Sequence, residues 1–159
     1  MRSKYFFILV SFSIFVCFAC QNAKPSENLR GKKIILKCAT RNGMKNFEIS
    51  DNATEMDLYD SGITQLPATI GQLKNLTAIN LRGNQLRTLP ETFTQLENLE
   101  TLTLSGNPLE DFPQELSRLK KLKNLCLERA KYSAFEQAMI ASLLPKCNIN
   151  FESDEDDGD

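Results

Sequence analysis

The chain has 159 residues, 42% of them hydrophobic and 25% charged, with a formal net charge of −1. That length holds one domain and little more, and the composition excludes collagen-like and wholly disordered classes. Histidine is absent, which removes Ser-His-Asp and Cys-His nucleophiles, His-ligated zinc and imidazole acid–base chemistry together.

Residues 1–19 carry Arg2 and Lys4, followed by the apolar run YFFILVSFSIFVCFA over 5–19. As a helix that run spans about 22 Å, short of the roughly 30 Å hydrocarbon core, so it reads as a secretory signal rather than a membrane span. Its end, Cys17-Phe18-Ala19-Cys20, resembles the lipobox of bacterial lipoproteins, although a Leu-like residue is usual where Cys17 stands. The resemblance implies that Cys20 becomes the first mature residue and is acylated, anchoring the chain to the outer membrane or cell surface. A periplasmic or secreted protein is the alternative. Residues 20–32 are then a polar linker. Only Cys38, Cys126 and Cys147 remain, an odd number that defines no disulfide framework even in an oxidising compartment.

Residues 33–52 are expected to cap the N-terminal end. Asn42-Gly43 is a type I′ turn signal. Folding there pairs Leu36 with Ile49 and Cys38 with Phe47 on one face, and Lys37 with Glu48 on the other. A short helix over 44–52 is the rival reading.

Of 22 leucines, 17 fall within 58–127, a skew that points to an internal repeat. Met56-x-Leu58, Ile79-x-Leu81, Leu102-x-Leu104 and Leu125-x-Leu127 recur every 23 residues. Period-two leucines point to one side of a short strand. Each unit continues alike: Ile63-x-x-Leu66-Pro67, Leu86-x-x-Leu89-Pro90 and Leu109-x-x-Phe112-Pro113. Apolar residues then follow at spacings of three, as in Ile70-Leu73-Leu76. A spacing of three reads as a 3₁₀ or short helical return, with each proline fixing φ at its start. One such coil cannot bury its own leucines, whereas stacked coils can.

Two units, 76–86 and 99–109, fit L-x-x-L-x-L-x-x-N-x-L, and the stretch 53–130 resembles bacterial leucine-rich-repeat proteins. The resemblance implies an α/β solenoid: a short curved parallel sheet of about five strands on the concave side, 3₁₀ or short helical segments on the convex side. Asn84 and Asn107 sit where each strand turns, placed to satisfy loop backbone groups. Residues 131–151 are expected to form a C-terminal cap. Ser133-Ala-Phe-Glu136 is a capping box opening a helix to about Leu144, stopped by Pro145. Leu144-x-x-Cys147-x-Ile149 mimics Leu122-x-x-Leu125-x-Leu127 and predicts a fifth strand over 146–151, with Cys147 in an inward apolar slot. The acidic tail 152–159 is expected to be disordered and solubilising.

The residues between the inward leucines face outward across a sheet about 20 Å wide. They run Glu55, Asp57, Tyr59; Ala78, Asn80, Arg82; Thr101, Thr103, Ser105; Asn124, Cys126, Glu128; Lys146, Asn148, Asn150. In leucine-rich-repeat proteins this face commonly binds another protein, so the resemblance implies a protein ligand held by Asp57, Tyr59, Asn80, Arg82, Thr103, Ser105, Cys126 and Glu128. Tyr59 and Arg82 are of the types enriched at interface hot spots. Cys126, on the exposed face, is the thiol expected to oxidise first.

No enzymatic activity, cofactor, metal, nucleic acid or small-molecule substrate is expected, and a monomer is. Residues 20–151 carry 17 basic and 14 acidic side chains, too weak and scattered a balance for nucleic acid. The expected role is a surface adhesin or host-interaction module. The alternatives are a periplasm-facing scaffold or inhibitor and, remotely, a hydrolase accessory.

Overall fold

The computed structural model describes residues 31–128 and 132–151. The signal segment 1–19, Cys20 with most of its linker, and the tail 152–159 lie outside the described residues. Two sheets are present. A hairpin of β1 (Lys33–Thr40) and β2 (Gly43–Ser50) joins β4 (Ile63–Gln65) in an antiparallel sheet of order β2-β1-β4. The other sheet is parallel and five-stranded: β3 (Glu55–Asp57), β5 (Ala78–Asn80), β6 (Thr101–Thr103), β7 (Asn124–Cys126) and β8 (Asn148–Asn150), adjacent in that order. A single α-helix among the described residues, α1 (Ala134–Leu143), precedes β8.

The 23-residue period becomes the register of this sheet, pairing Met56 with Ile79, Ile79 with Leu102 and Leu102 with Leu125. All four side chains are buried. The chain returns through 3₁₀ segments at Ala68–Gln72, Glu91–Gln95 and Gln114–Arg118, preceded by Pro67, Pro90 and Pro113 at φ −75°, −69° and −68°. Spacings of three are explained by successive i→i−3 hydrogen bonds. Ile70 N–H donates to Pro67 O at 3.1 Å, Leu73 to Ile70 at 3.0 Å and Leu76 to Leu73 at 3.1 Å. Every third residue therefore eclipses the last and points into the stack. Adjacent returns pack closely at Gly71, where an added Cβ would meet the Thr92 carbonyl oxygen at 2.6 Å.

Between strand and return the chain bends, and Asn84 closes the bend. Its buried Oδ1 accepts from Ser61 N–H (3.1 Å) and Ile63 N–H (3.0 Å), and its Nδ2 donates to Leu58 O and Leu81 O, both at 2.8 Å. Asn107 repeats the pattern one coil on, accepting from Leu86 N–H and donating to Leu81 O and Leu104 O. A second amide ladder, not singled out in the sequence, lies outside it: Asn75 Nδ2 donates to Asp51 O and Asn98 Nδ2 to Lys74 O, each at 2.8 Å. The core cluster runs from Ile34 to Leu144, with Ile149 and Phe151 packed against it. The body of the protein thus draws its apolar core from residues 34–151.

Three local readings need correction. In the hairpin, Leu36 pairs with Phe47, Cys38 with Lys45, Ile34 with Ile49 and Lys37 with Asn46, two residues away from the expected register. Among the described residues only Asp60 is a non-glycine with positive φ, while Gly43 takes φ 109°. Arg41 and Asn42 are therefore the turn residues at negative φ, closed by a positive-φ glycine, and the type I′ turn is not formed. The same segment is strand, so the rival helix over 44–52 is absent. Second, Ile63–Gln65 is a strand, pairing Ala39 with Gln65 and Thr40 with Ile63; it welds the hairpin to the first coil.

Third, β8 pairs Ile149, not Cys147, with Leu125. Cys147 N–H donates to Leu144 O at 3.0 Å as Leu122 N–H donates to Leu119 O at 3.1 Å. Leu144-x-x-Cys147 therefore continues the 3₁₀-type spacing into the strand, and Cys147 is half-buried against the core one step earlier than expected. The capping box forms as read: Ser133 N–H and Oγ donate to Glu136 Oε2, each at 2.7 Å, and Ser133 Oγ accepts from Glu136 N–H. Those bonds hold the exposed Glu136 carboxyl below its usual range.

Candidate functional site

The non-leucine positions of β3, β5, β6, β7 and β8 form one polar face. Alternation within each three-residue strand leaves Asp57, Asn80, Thr103 and Cys126 in one row across the sheet. The residues two further on, Tyr59, Arg82, Ser105 and Glu128, form a second row at the same 23-residue spacing. Asp57 and Asn80 are half-buried and partly committed to the backbone. Asp57 Oδ1 accepts from Tyr59 N–H at 2.9 Å, and Asn80 Oδ1 from Arg82 N–H at 3.1 Å. These bonds shape the exit from each strand and hold Tyr59 and Arg82 at its end. Tyr59 is 57% exposed. Its ring leans over the next coil, where a Cβ on Gly83 would lie 3.6 Å from it.

Arg82 does not stand free. Its Nη1 lies 3.3 Å from Glu128 Oε2, with the arginine side chain 45% exposed and the glutamate 15%. The pair reaches over the coil between them, which carries Ser105. Ser105 is 1% exposed and its Oγ accepts from Glu128 N–H at 3.2 Å. The expectation of Ser105 as an exposed contact residue is therefore corrected: a small side chain in that row is covered and positions Glu128. Asn150 Nδ2 donates to Glu128 Oε1 at 3.3 Å, so β8 adds an amide to the cluster. In the expected register Asn150 stood opposite Glu128, and in the observed one it pairs with Cys126.

Cys126 is half-buried, and burial together with nearby Glu128 raises its thiol pKa, against opposing effects of a Thr103 hydrogen bond and Arg82. Thiolate is the reactive form. Cys126 is thus half-buried rather than fully open on the face, and its raised pKa, shared in direction by Cys38 and Cys147, lowers the thiolate fraction without ranking the three thiols. Cys147 is likewise pushed up by burial and by Cys126.

A separate concavity of about 470 Å³ lies at the edge where the coils meet α1, lined by Leu89, Phe112, Tyr132 and Met139 with acidic Glu110 and Glu136. It shares no lining residue with the polar rows and was not anticipated. Tyr132 closes its floor, edge-on to Phe112 (6.4 Å) and Phe151 (6.5 Å).

The family model for a leucine-rich repeat region matches residues 55–150. This chain belongs to the leucine-rich-repeat family. A solved leucine-rich-repeat protein of Leptospira interrogans is 44% identical to it, with a TM-score of 0.53, over 56% of this chain and 23% of that one. This chain thus matches less than a quarter of the length of that protein. No curated protein matches. Within the family, the repeat domain is generally a protein-binding scaffold and typically not an enzyme.

Proposed function

We propose that this protein is a non-enzymatic binding module of the bacterial envelope, anchored through an acylated Cys20, that holds a protein partner on the concave sheet. The observation that carries the reading is the second row, where exposed Tyr59 stands beside the Arg82–Glu128 bridge. An aromatic ring and a guanidinium held in place by a half-buried carboxylate are residue types that dominate many interfaces. Because Glu128 already restricts the Arg82 side chain, less side-chain freedom is lost on binding.

Size limits the affinity. Five strands at about 4.8 Å and roughly 16 Å of strand and exit give a face of about 300 Å² in plan, against about 800 Å² per partner for a standard interface. The partner must therefore also touch the loops beyond the strand ends, or bind weakly. Surface display as an adhesin or host-interaction module is the preferred role, and a periplasm-facing scaffold or inhibitor would use the same face.

Cys20→Ala tests the anchor: the variant is expected in the aqueous phase after detergent partition, and continued partition into detergent would overturn it. Protease treatment of intact cells tests display, which fails if the chain is cut only after the outer membrane is permeabilised. Arg82→Glu combined with Tyr59→Ala is expected to weaken partner capture without unfolding the chain, although loss of the Arg82–Glu128 pair lowers the midpoint somewhat. Unchanged capture would move the site to the convex face or the loops.

A further inference from the structure

The hairpin at the N-terminal end carries a charge that neither the fold nor the concave face explains. Residues 31–50 contain five basic side chains, Lys32, Lys33, Lys37, Arg41 and Lys45, and one acid, Glu48. Glu48 is taken by Lys33, at 2.8 Å. Lys37, Arg41 and Lys45 are exposed and form no ion pair among the described residues. Alternation along β1 sends Ile34, Leu36 and Cys38 into the core and turns Lys33, Ile35 and Lys37 outward. The register sets Met44 beside Ala39 and Glu48 beside Ile35 on that outer face. Two large apolar side chains therefore stand in water on the face that carries Lys33 and Lys37: Ile35 is 47% exposed and Met44 68%.

A capping hairpin needs one apolar face, toward the stack, and β1 supplies it. Nothing in capping calls for exposed Ile35 and Met44 on the same face as Lys37, with Arg41 in the turn and Lys45 next to the tip on the opposite face of β2, over the Phe47 ring. Basic side chains around protruding apolar ones match the chemistry of an anionic lipid surface, where cations meet headgroups and apolar tips enter the interface. The position in the chain fits as well. Gly31 opens the described body eleven residues after Cys20, a tether of at most about 40 Å when fully extended.

We propose that the outer face and tip of the β1–β2 hairpin dock on a membrane surface rich in anionic lipid. For its physiological setting this rests on the Cys20 anchor, but the contact itself needs no acyl chain. Docking by the hairpin orients the solenoid and leaves the row of Tyr59, Arg82 and Glu128 for a partner.

The test uses residues 21–159, which keep the whole apolar core and lack any lipid. Sedimentation with phosphatidylcholine vesicles, with or without phosphatidylglycerol, reads the binding. Association is expected with the anionic vesicles only, weakening as salt is raised. Each basic side chain at such a surface strengthens binding about fivefold, so Lys37→Gln, Arg41→Gln and Lys45→Gln together are expected to weaken it roughly 100-fold. A control removing three cations elsewhere, Arg118→Gln, Lys120→Gln and Lys121→Gln, is expected to have little effect, and circular dichroism verifies that both variants fold. Equal loss in the two triple variants, equal binding to neutral vesicles, or no binding to either would overturn the proposal. Binding to soluble polyglutamate in place of vesicles would assign the patch to an acidic protein instead. Failure of the anchor is separately visible as loss of detergent partition in cells with vesicle binding intact.

Discussion

Replacing Asn84 by alanine tests the bend that makes the repeat. The side chain is fully buried and holds four backbone groups within 3.1 Å: the amides of Ser61 and Ile63 and the carbonyls of Leu58 and Leu81. Alanine leaves two N–H donors and two acceptors facing a small buried space. An unmade buried hydrogen bond costs about 1–3 kcal/mol, the donors more than the carbonyls, which have a second lone pair. The two amides alone account for about 2–4 kcal/mol, and with partial loss at the carbonyls the total is about 3–5 kcal/mol. That is a large fraction of the 5–15 kcal/mol typical of a folded domain. Asn98→Ala is the matched control, because its amide makes two exposed bonds, donating to Lys74 O at 2.8 Å and accepting from Lys121 Nζ at 2.7 Å, where water can replace both for about 1 kcal/mol or less in all. Urea unfolding of both variants, followed by circular dichroism, measures the difference. Unfolding free energies for the two variants within about 1 kcal/mol of each other would refute the claim that Asn84 is the polar keystone of the coil.

Cys38 is buried, and burial raises its thiol pKa from 9.0 to about 11 despite the opposing charge of Lys45. Its contribution is fully present below pH 9.0 and is lost as pH rises through about 11. Across that window the stability gap between wild type and Cys38→Ala is expected to shrink by about 2–3 kcal/mol; a constant gap would contradict the burial. Asp60 adopts φ 44° at the position where the next two coils use Gly83 (φ 73°) and Gly106 (φ 69°). Asp60→Gly is therefore expected to be neutral or stabilising by up to about 1 kcal/mol, whereas Gly83→Asp is expected to destabilise, both read from thermal midpoints. Ser133→Ala, which removes the helix cap, is expected to cost about 1 kcal/mol, and the loss of C-terminal protection should appear in hydrogen exchange.

The architecture was legible because a solenoid repeats one local rule. Met56, Ile79, Leu102 and Leu125 pair in the sheet at the spacing that the sequence shows, and each proline marks the start of a return. The reading slipped where the period breaks. At the hairpin, Asn42-Gly43 is compatible with two turn geometries. Pairing of β1 with β4, which brings Thr40 to Ile63 23 residues further along the chain, accompanies the bulged one. At the C-terminal end, α1 intervenes, and the apolar spacing before β8 is one residue shorter than in the coils, so Cys147 and Ile149 were read one step out of phase. On the concave face, alternation correctly separated inward from outward positions. It gave no sign that Arg82 and Glu128 meet across an intervening coil and cover Ser105, because that contact joins positions two periods apart.

The most direct test of the concave face uses a photo-crosslinking amino acid placed at Tyr59 or, as the opposite-face control, at Gln95 in the convex 3₁₀ return, in living cells together with whatever they contact. Irradiation is expected to give a discrete higher-mass adduct from position 59, containing a second protein identified by mass spectrometry, and none from position 95. Adducts from position 95 alone, or an identical pattern from both, would contradict binding through the concave sheet.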